Sequence, residues 1–298
     1  MAYRDRERLR SILCCPTCAG PLQWQAAEGR CAECALEVSI EEGAFVFHTD
    51  ELPANYADPE YESANPYHLD CLELIKRHRN GLVVNYGAGS PKFPFDNLVE
   101  VEIRRYPSTD LVVVSDRLPL QDNSVDAVIS LSVLEHVRDP FRYISEIRRV
   151  LKPGGGCVLH AAFLQPFHSY PNHYFNTTKA GLTYLMEGFE VTRLGVGDHQ
   201  HPWITLNWVL NAYLQGLSPH DRDWMLSQPI GALMERMRDL AAKRQTLKQQ
   251  PNADAIARSL NRFNRDHAGD LGALARLGER TRDTLAAGFA LSAVKKGR

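Results

Sequence analysis

The sequence lacks several features that would place it in common classes of protein. Its 298 residues contain no run of eighteen apolar residues, so no membrane span is predicted. The formal net charge is only −2, which gives no general attraction for nucleic acid. Internal repeats are absent, and the first ten residues are charged and polar, unlike a secretory signal. With an ordinary apolar content of 44%, a cytoplasmic globular protein is expected.

Two Cys-x-x-Cys pairs stand near the start of the chain. Cys15 and Cys18 form the first pair and Cys31 and Cys34 the second, with twelve residues between the pairs. Four thiolates from two such turns complete a tetrahedral zinc shell, and so short a segment builds a poor core without one. We therefore predict a structural zinc ribbon over residues 1–50. A pair of disulfides is the alternative, and the cysteine preceding the first pair is an alternative ligand with poorer spacing.

Apolar runs of strand length alternate with helical patterns from residue 82 onward. The first run, residues 82–86, ends in the turn Gly87-Ala88-Gly89, where glycines let the backbone approach a ligand. The second run, residues 97–103, ends near Glu102. A carboxylate at the tip of the second strand accepts hydrogen bonds from ribose hydroxyls in nucleotide-binding folds. The pattern predicts an α/β protein with a crevice for a nucleotide-type cofactor.

Further strands and one well-marked helix complete this predicted sheet. Strands are predicted at residues 111–114, 125–131, 157–162 and 189–194. Asp139 can cap a helix that has Pro140 at its first position. Its predicted apolar stripe consists of Phe141, Ile144, Ile147 and Leu151. Alternating strands and helices predict parallel pairing with right-handed crossovers.

The ordered set of motifs resembles the class I S-adenosylmethionine-dependent methyltransferases of the methyltransferase-11 type. The segments that carry the resemblance are residues 84–89, 116–120, 122–128, 133–140 and 149–155. Residues 13–47 resemble the Trm112-like zinc ribbon, which in its family supports methyltransferases as a partner or a fused domain. The resemblance implies a Rossmann-like class I methyltransferase sheet with an N-terminal zinc ribbon and a helical C-terminal segment.

The resemblance also implies S-adenosylmethionine as the cofactor and a set of residues that contact it. These are Asn85, Tyr86, Gly87, Ala88, Gly89, Glu102, Asp116, Arg117, Leu118, Leu131 and Ser132. The glycine turn would lie against the methionine part, and Glu102 would hold the ribose. Asp116 and Leu118 would flank the adenine, while Leu131 and Ser132 would line the floor near the sulfonium.

Two positions depart from the family pattern. Asn85 stands where the family usually has an acidic residue, and Ser90-Pro91 replaces the usual third glycine. Asparagine can still accept a hydrogen bond from the cofactor ammonium, but without charge assistance. Only twelve residues separate Gly89 from Glu102, so the first crossover helix should be short or absent. A catalytically silent scaffold with the methyltransferase fold is therefore an alternative function.

An aromatic and histidine-rich loop follows the strand at residues 157–162. In open α/β sheets, a loop at this place faces the ligand. The predicted substrate contacts are Phe167, Tyr170 and Tyr174, and the candidate general bases are His136, His168 and His173. A base is needed only when the acceptor must lose a proton, as a hydroxyl must.

The same loop bears on the identity of the methyl acceptor. It resembles that of bacterial members thought to act on small metabolites or carbohydrate precursors, which implies O-methylation of a small molecule. The chain lacks an Asn/Asp-Pro-Pro-Tyr motif, which weighs against methylation of nucleic-acid bases. RNA methylation with the zinc ribbon as an RNA grip is the enzymatic alternative, although the ribbon has few basic residues.

The remainder of the chain is helical in pattern. The predicted domains are the ribbon at residues 1–50, the methyltransferase domain at 51–202 and a helical segment at 203–298. Residues 241–298 carry twelve Lys/Arg against five Asp/Glu, a net +7 that leaves −9 for the rest. A solvated helix face explains this charge, and homo-oligomerisation through these helices, an anionic carrier or a membrane surface are alternatives.

Overall fold

The protein is described by a computed structural model that covers residues 5–57, 66–90, 95–115, 117–168, 172–197 and 200–246, and six positions between 255 and 265. The chain forms two compact units. The first, called here the sheet unit, comprises residues 1–164 and 171–199. The second, called here the helical unit, comprises residues 165–170 and 200–298.

The sheet unit begins with the ribbon. Its elements are α1 (Arg6–Ile12), β1 (Leu22–Gln25), β2 (Glu28–Cys31), β3 (Glu37–Glu41) and β4 (Ala44–Phe47). The α/β part follows with α2 (Leu69–Arg77), β5 (Val83–Tyr86), β6 (Leu98–Glu102), β7 (Leu111–Val112), β8 (Val125–Leu131), a short 3₁₀ helix (Leu134–His136), α3 (Pro140–Val150), β9 (Leu151–His160) and α4 (Lys179–Leu185).

The nine strands of the described residues belong to one sheet, in the order β1-β2-β3-β4-β7-β6-β5-β8-β9. The ribbon strands pair antiparallel, whereas β5 to β9 pair parallel. The two parts join through parallel pairing of β4 with β7, where Phe45 lies opposite Leu111 and Val46 opposite Val112. The predicted boundary at residue 50 therefore falls inside one compact unit, and the ribbon extends the parallel sheet at its edge.

The central strands are buried on both faces, as parallel strands in α/β proteins are. Val83 and Leu98 pack with Leu74 of α2 on one face. Val84 packs with Ile147 of α3 on the other. Successive residues of a strand point to opposite faces, so β5 contributes to both cores.

Helix α3 begins as the sequence indicates, but its predicted stripe differs at both ends. Leu151 is buried, yet it is the C-cap residue of the helix and the first residue of β9. The Asp139 side chain accepts a hydrogen bond from the Arg142 amide, and Pro140 opens the helix. Phe141, predicted to face the core, is 53% exposed, while Tyr143 is buried in its place beside Ile144 and Ile147. The Phe141 ring instead meets that of Tyr184 of α4 edge to face, with centroids 5.5 Å apart.

Two other predicted elements are shorter or missing. The strand expected at residues 111–114 spans only Leu111–Val112. The strand expected at residues 189–194 is not formed in the described structure, and Phe189 packs against the main core as an isolated side chain. Strand propensity needs a neighbouring strand to be realised. No helix occurs in residues 87–90 or 95–97, as the short connection to β6 requires.

The helical unit contains α5 (Pro202–Gln215), α6 (Pro219–Ser227) and α7 (Ile230–Thr246). Its core consists of Leu217, Met225 and Leu233, with the end of α5 packed against them. Trp203 and Leu206 of α5 are exposed, whereas the last turn of the helix packs against this core. Among the described residues, no helix is long and apolar enough to span a membrane. Most of the basic segment 247–298 lies outside the described residues.

Candidate functional site

The predicted crevice lies where the strand order reverses. From β5 the chain continues to β6 on one side, and β8 pairs with β5 on the other. The carboxyl ends of the strands at such a switch point form the ligand crevice of open α/β sheets. Gly87 follows β5 and Ser132 follows β8, so the structure brings these two predicted cofactor residues to the same edge.

The glycine turn is shaped by a close neighbour as well as by backbone conformation. Gly87 and Gly89 have φ of +77° and +65°, in the region that favours glycine. A Cβ on Gly87 would lie 2.4 Å from the Cγ2 atom of Val133. Ala88 is buried within the turn. Glycine at position 87 is therefore required by the protein's own packing, in addition to any approach of a ligand.

Glu102 ties the ends of β5 and β6 together. Its carboxylate accepts hydrogen bonds from the amides of Gly89 and Ile103, each at 2.7 Å. Burial raises the pKa of Glu102, and the hydrogen bonds from these amides oppose the rise. A carboxylate offers about four lone-pair sites, so two backbone bonds leave room for ribose hydroxyls. The tie fixes the carboxylate beside the glycine turn.

Asn85 lies in a buried polar group that the sequence analysis did not find. Its side chain, 2% exposed, donates to the Tyr67 hydroxyl at 2.9 Å and to Glu100 Oε2 at 2.8 Å. The Tyr67 hydroxyl donates to Glu100 Oε1 at 2.6 Å. The Oδ1 atom of Asn85 is buried without a hydrogen-bond partner among the described residues. Both amide hydrogens are used, so an acceptor for a ligand remains.

Tyr86, Leu131 and Ser132, all predicted to contact the cofactor, are held in place by contacts within the sheet unit. The Tyr86 ring stacks on Tyr143 with centroids 4.4 Å apart, and the Tyr143 hydroxyl donates to the Tyr86 carbonyl at 3.2 Å. Ser132 has a φ of +55°, and its amide donates to the His160 carbonyl at 2.9 Å. Leu131 is buried at the end of β8. A non-glycine residue held in this conformation costs about 1–3 kcal/mol, and such strain clusters at functional sites.

The loop predicted to flank the adenine is held by α3. The Leu118 amide donates to Glu146 Oε2 at 2.9 Å, and Arg149 donates to the Leu118 carbonyl at 3.0 Å. The Leu118 side chain is fully buried in the core, so only its backbone can face a ligand. Arg117 is half-buried and lies 3.6 Å from Asp122. Asp116 lies outside the described residues.

Two of the three candidate bases come together in the sheet unit. The rings of His136 and His173 meet edge to face with centroids 5.5 Å apart. His136 Nδ1 lies 2.9 Å from the Asn172 carbonyl, and His173 Nε2 lies 3.0 Å from Asn176 Oδ1. Neighbouring Glu135 is 1% exposed; burial raises its pKa, and hydrogen bonds from backbone amides and the nearby His173 oppose the rise.

The remaining substrate candidates are divided between the units. His168 belongs to the helical unit, where its ring lies 5.1 Å from that of Trp208. Phe167 belongs to the same unit. Tyr174 lies in the sheet unit, where its amide donates to the Glu135 carbonyl at 2.7 Å. Tyr170 lies outside the described residues.

The sequence motifs did not indicate a further histidine that lies at the carboxyl ends of the strands. His160 ends β9, and its Nε2 lies 2.8 Å from Asp70 Oδ2 at the start of α2. Although burial opposes it, the hydrogen bond from His160 lowers the pKa of Asp70. No signal in the sequence links residues ninety positions apart, because only the packing of α2 on β9 joins them.

The four ribbon cysteines form one compact cluster. The sulfurs of Cys15 and Cys34 and of Cys18 and Cys31 are 3.4 Å apart, and all four lie within 4.8 Å of one another. A tetrahedral site with Zn–S bonds of about 2.3 Å places its sulfurs about 3.8 Å apart. The separations far exceed a disulfide bond of about 2.05 Å. This donor set suits zinc and does not suit two disulfides.

The two cysteine turns have the same local geometry. Ala19 and Ala35, each directly after the second cysteine of a pair, both have a φ of +63°. The Gly20 amide lies 3.4 Å from Cys18 Sγ, and the Glu33 amide lies 3.4 Å from Cys31 Sγ. Although burial raises it, hydrogen bonds from backbone amides lower the pKa of the Cys31 thiol to about 7. Amides directed at sulfur favour the thiolate, the form that binds metal.

The fold defines a class: a Rossmann-like α/β domain, in which ligands bind at the carboxyl ends of the central strands. Residues 96–159, from just before β6 to near the end of β9, match the sequence model of the family described as a methyltransferase domain. This part of the chain is therefore similar to that family.

Known proteins with similar sequences carry the same description. An uncharacterized methyltransferase of Mycobacteroides abscessus is 38% identical over 86 residues, which are 28% of this chain and 30% of that protein. A protein of Mycolicibacterium smegmatis named as a probable S-adenosylmethionine-dependent methyltransferase is 36% identical over 107 residues, 33% of this chain and 42% of that protein. The chain thus spans less than half the length of these two relatives.

One solved structure also shows a limited likeness. It is a methyltransferase of Thermotoga maritima, described as S-adenosylmethionine-dependent and a possible histamine N-methyltransferase. Its sequence identity is 24%, its TM-score is 0.30, and the likeness covers 37% of this chain and 65% of that one.

Proposed function

We propose that the protein is an S-adenosylmethionine-dependent methyltransferase. The observation that carries the proposal is the buried Oδ1 of Asn85, an acceptor without a partner two residues before the glycine turn. An unsatisfied buried polar atom costs about 1–3 kcal/mol, so it is expected where a ligand supplies the donor. The ammonium group of the cofactor is such a donor. The residues at the head of the crevice therefore fit this cofactor.

The other crevice residues would hold the rest of the cofactor. Glu102 would accept hydrogen bonds from the ribose hydroxyls, and the backbone of Gly87 to Gly89 would lie along the methionine part. Bound S-adenosylmethionine supplies a methyl group on a sulfonium, which is a good leaving group. The protein's main contribution is then to position the acceptor, because orientation supplies much of the rate of such a transfer.

We infer that the acceptor is a hydroxyl of a small metabolite or carbohydrate precursor. A hydroxyl must lose its proton, and the pair His136 and His173 beside the buried Glu135 provides candidate bases. Tyr174, which follows the second histidine, would supply an apolar wall. His168, which belongs to the helical unit, is the third candidate.

RNA methylation and a silent scaffold are the competing functions. Residues 1–50 carry five Arg and no Lys against eight Asp and Glu, so the ribbon is net acidic. A phosphate backbone is gripped by cationic surfaces, and this composition disfavours the RNA reading. The buried Oδ1 of Asn85 disfavours the scaffold, because an acceptor without a partner destabilises a protein that binds no ligand there.

Calorimetric titration with S-adenosylmethionine tests the proposal. Binding in the micromolar range is expected, and Glu102→Ala should weaken it at least tenfold. Glu51→Ala removes an exposed glutamate outside the crevice and serves as the control. An absence of binding at millimolar cofactor would refute the enzyme assignment. Incubation with labelled cofactor and either a metabolite extract or total RNA then distinguishes the two acceptor classes.

We also propose that the cysteine cluster holds a structural zinc ion. Four thiolates leave no open coordination position, so the metal would stabilise the ribbon without taking part in the reaction. A thiolate zinc site suits a reducing compartment, which supports a cytoplasmic location. Elemental analysis of the purified protein should find one zinc per chain. The exposed apolar residues of α5 to α7 support a homo-oligomer, which light scattering would detect.

A further inference from the structure

We propose that Glu100 is the counter-charge for the ammonium end of the cofactor, acting through the side-chain amide of Asn85. The carboxylate absent from position 85 is thus supplied from the neighbouring strand, and cofactor binding releases a proton from Glu100 to the solvent. This inference rests on the proposed function and assigns a positioning residue that the sequence pattern does not reveal.

The register of the sheet places the two side chains together. Asn85 of β5 lies directly opposite Glu100 of β6 in the parallel ladder. Glu100 is only 5% exposed, and Asn85 Nδ2 donates to its Oε2 at 2.8 Å. A buried carboxyl that accepts only two side-chain hydrogen bonds is costly to ionise, so an approaching cation has a strong effect on it.

The hydrogen bonds fix the direction of the Asn85 amide. Its nitrogen donates to both Tyr67 and Glu100, so Oδ1 lies on the opposite side of the carboxamide from these two groups. An ammonium that donates to Oδ1 is joined through the amide to the Glu100 carboxyl. Hydrogen-bond chains of this kind polarise one another, and an ionised Glu100 strengthens the acceptor.

The groups around Glu100 shift its pKa in both directions. Burial is the main cause that raises its pKa to about 7, and the carboxylates of Asp110 and Glu102 raise it further, while the hydrogen bonds from Tyr67 and Asn85 lower it. Asp110 is itself paired with Arg6 at 2.9 Å. Near neutral pH the site thus holds a proton that a nearby cation can displace.

The proton balance is simple. Before binding, the Glu100 carboxyl is partly protonated. Approach of the cationic ammonium favours the carboxylate, so the proton leaves to the buffer and no bond in the cofactor changes. Because only the ionised form binds well, apparent affinity should rise about tenfold between pH 6 and pH 8.

Calorimetry in two buffers with different ionisation enthalpies measures the released proton directly. With S-adenosylmethionine at pH 6, the wild-type protein should release close to one proton per cofactor bound. S-adenosylhomocysteine, which keeps the ammonium and lacks the sulfonium charge, should release the same number. Methylthioadenosine, which has no ammonium, should bind without release. Equal release with methylthioadenosine would overturn the assignment to the ammonium.

Variants separate this inference from the proposed function. Glu100→Gln keeps the shape of the side chain and should bind cofactor at least tenfold more weakly, without proton release or pH dependence. Glu102→Ala is the matched control, which should lose affinity but keep most of the release, because burial and not Glu102 is the main cause of the raised pKa of Glu100. Asn85→Asp in the Glu100→Gln background should restore affinity, because the charge returns at position 85. Wild-type binding without proton release would refute this inference alone, whereas no binding would refute the proposed function.

Discussion

Replacing Glu100 with glutamine should change how the stability of the ligand-free protein depends on pH. The pKa of this buried glutamate lies at about 7 instead of its ordinary 4.5, with burial as the main cause. The difference corresponds to about 3 kcal/mol between the protonated and ionised forms. A raised pKa means that the folded state holds the proton more tightly than the unfolded state. This contribution to stability is therefore complete below about pH 4.5 and is lost as the pH rises through about 7.

Urea unfolding at pH 5 and pH 8 measures this loss. The free energy of unfolding of the wild-type protein should fall by about 2.5 kcal/mol more over this range than that of Glu100→Gln. Groups that do not interact with Glu100, including the buried Glu135, titrate equally in both proteins and cancel in the comparison. Parallel pH profiles for the two proteins would show that Glu100 is ionised throughout, and the argument from burial would fail.

Three further outcomes are expected. Gly87→Ala should destabilise the fold by about 2–4 kcal/mol in chemical denaturation, because the new Cβ meets Val133 at 2.4 Å in a backbone conformation that disfavours it. Gly154→Ala, with a similar φ of +79° and nothing within 4 Å, should cost only about 1–2 kcal/mol, and equal losses would contradict the packing argument. Removal of zinc by a strong chelator should lower the melting temperature of the whole sheet unit by several degrees, because the ribbon strand β4 pairs with β7. An unchanged melting temperature would mean that the ribbon contributes nothing to the stability of the sheet. Arg6→Met should lower the free energy of unfolding by about 1–3 kcal/mol, because the buried Asp110 loses its ion-pair partner. An unchanged free energy of unfolding would mean that the other hydrogen-bond partners of Asp110 stabilise its charge without Arg6.

Local signals predicted much of the architecture. Asp139 and Pro140 mark the start of α3 because capping depends only on neighbouring residues. The apolar run at residues 125–131 is strand β8 with the predicted bounds. Phe141 was assigned to the wrong surface because helical period fixes a stripe and not how far the sheet extends beneath it. The strand expected at residues 189–194 failed for a similar reason, since the partner it needs is not encoded in the segment itself.

The candidate site likewise contains some residues that the sequence reveals and others that it does not. Gly87, Gly89 and Glu102 could be selected because strand ends and glycines are visible in sequence, and the structure places them side by side. Glu100 and Tyr67 could not be selected from the sequence. A glutamate in a strand of alternating apolar and polar residues normally indicates the solvent-facing side of that strand.

Short spacings and the periods of strand and helix therefore predicted most strands of the α/β part, the glycine turn and the four-cysteine cluster. The fold in three dimensions was needed to find that the ribbon continues the parallel sheet through β4 and β7, that His136 and His173 lie together, and that Asn85 is hydrogen-bonded to Glu100. These contacts join segments whose separation in the chain carries no signal. They arise from strand pairing and burial, which bring a side chain's partners from elsewhere in the fold.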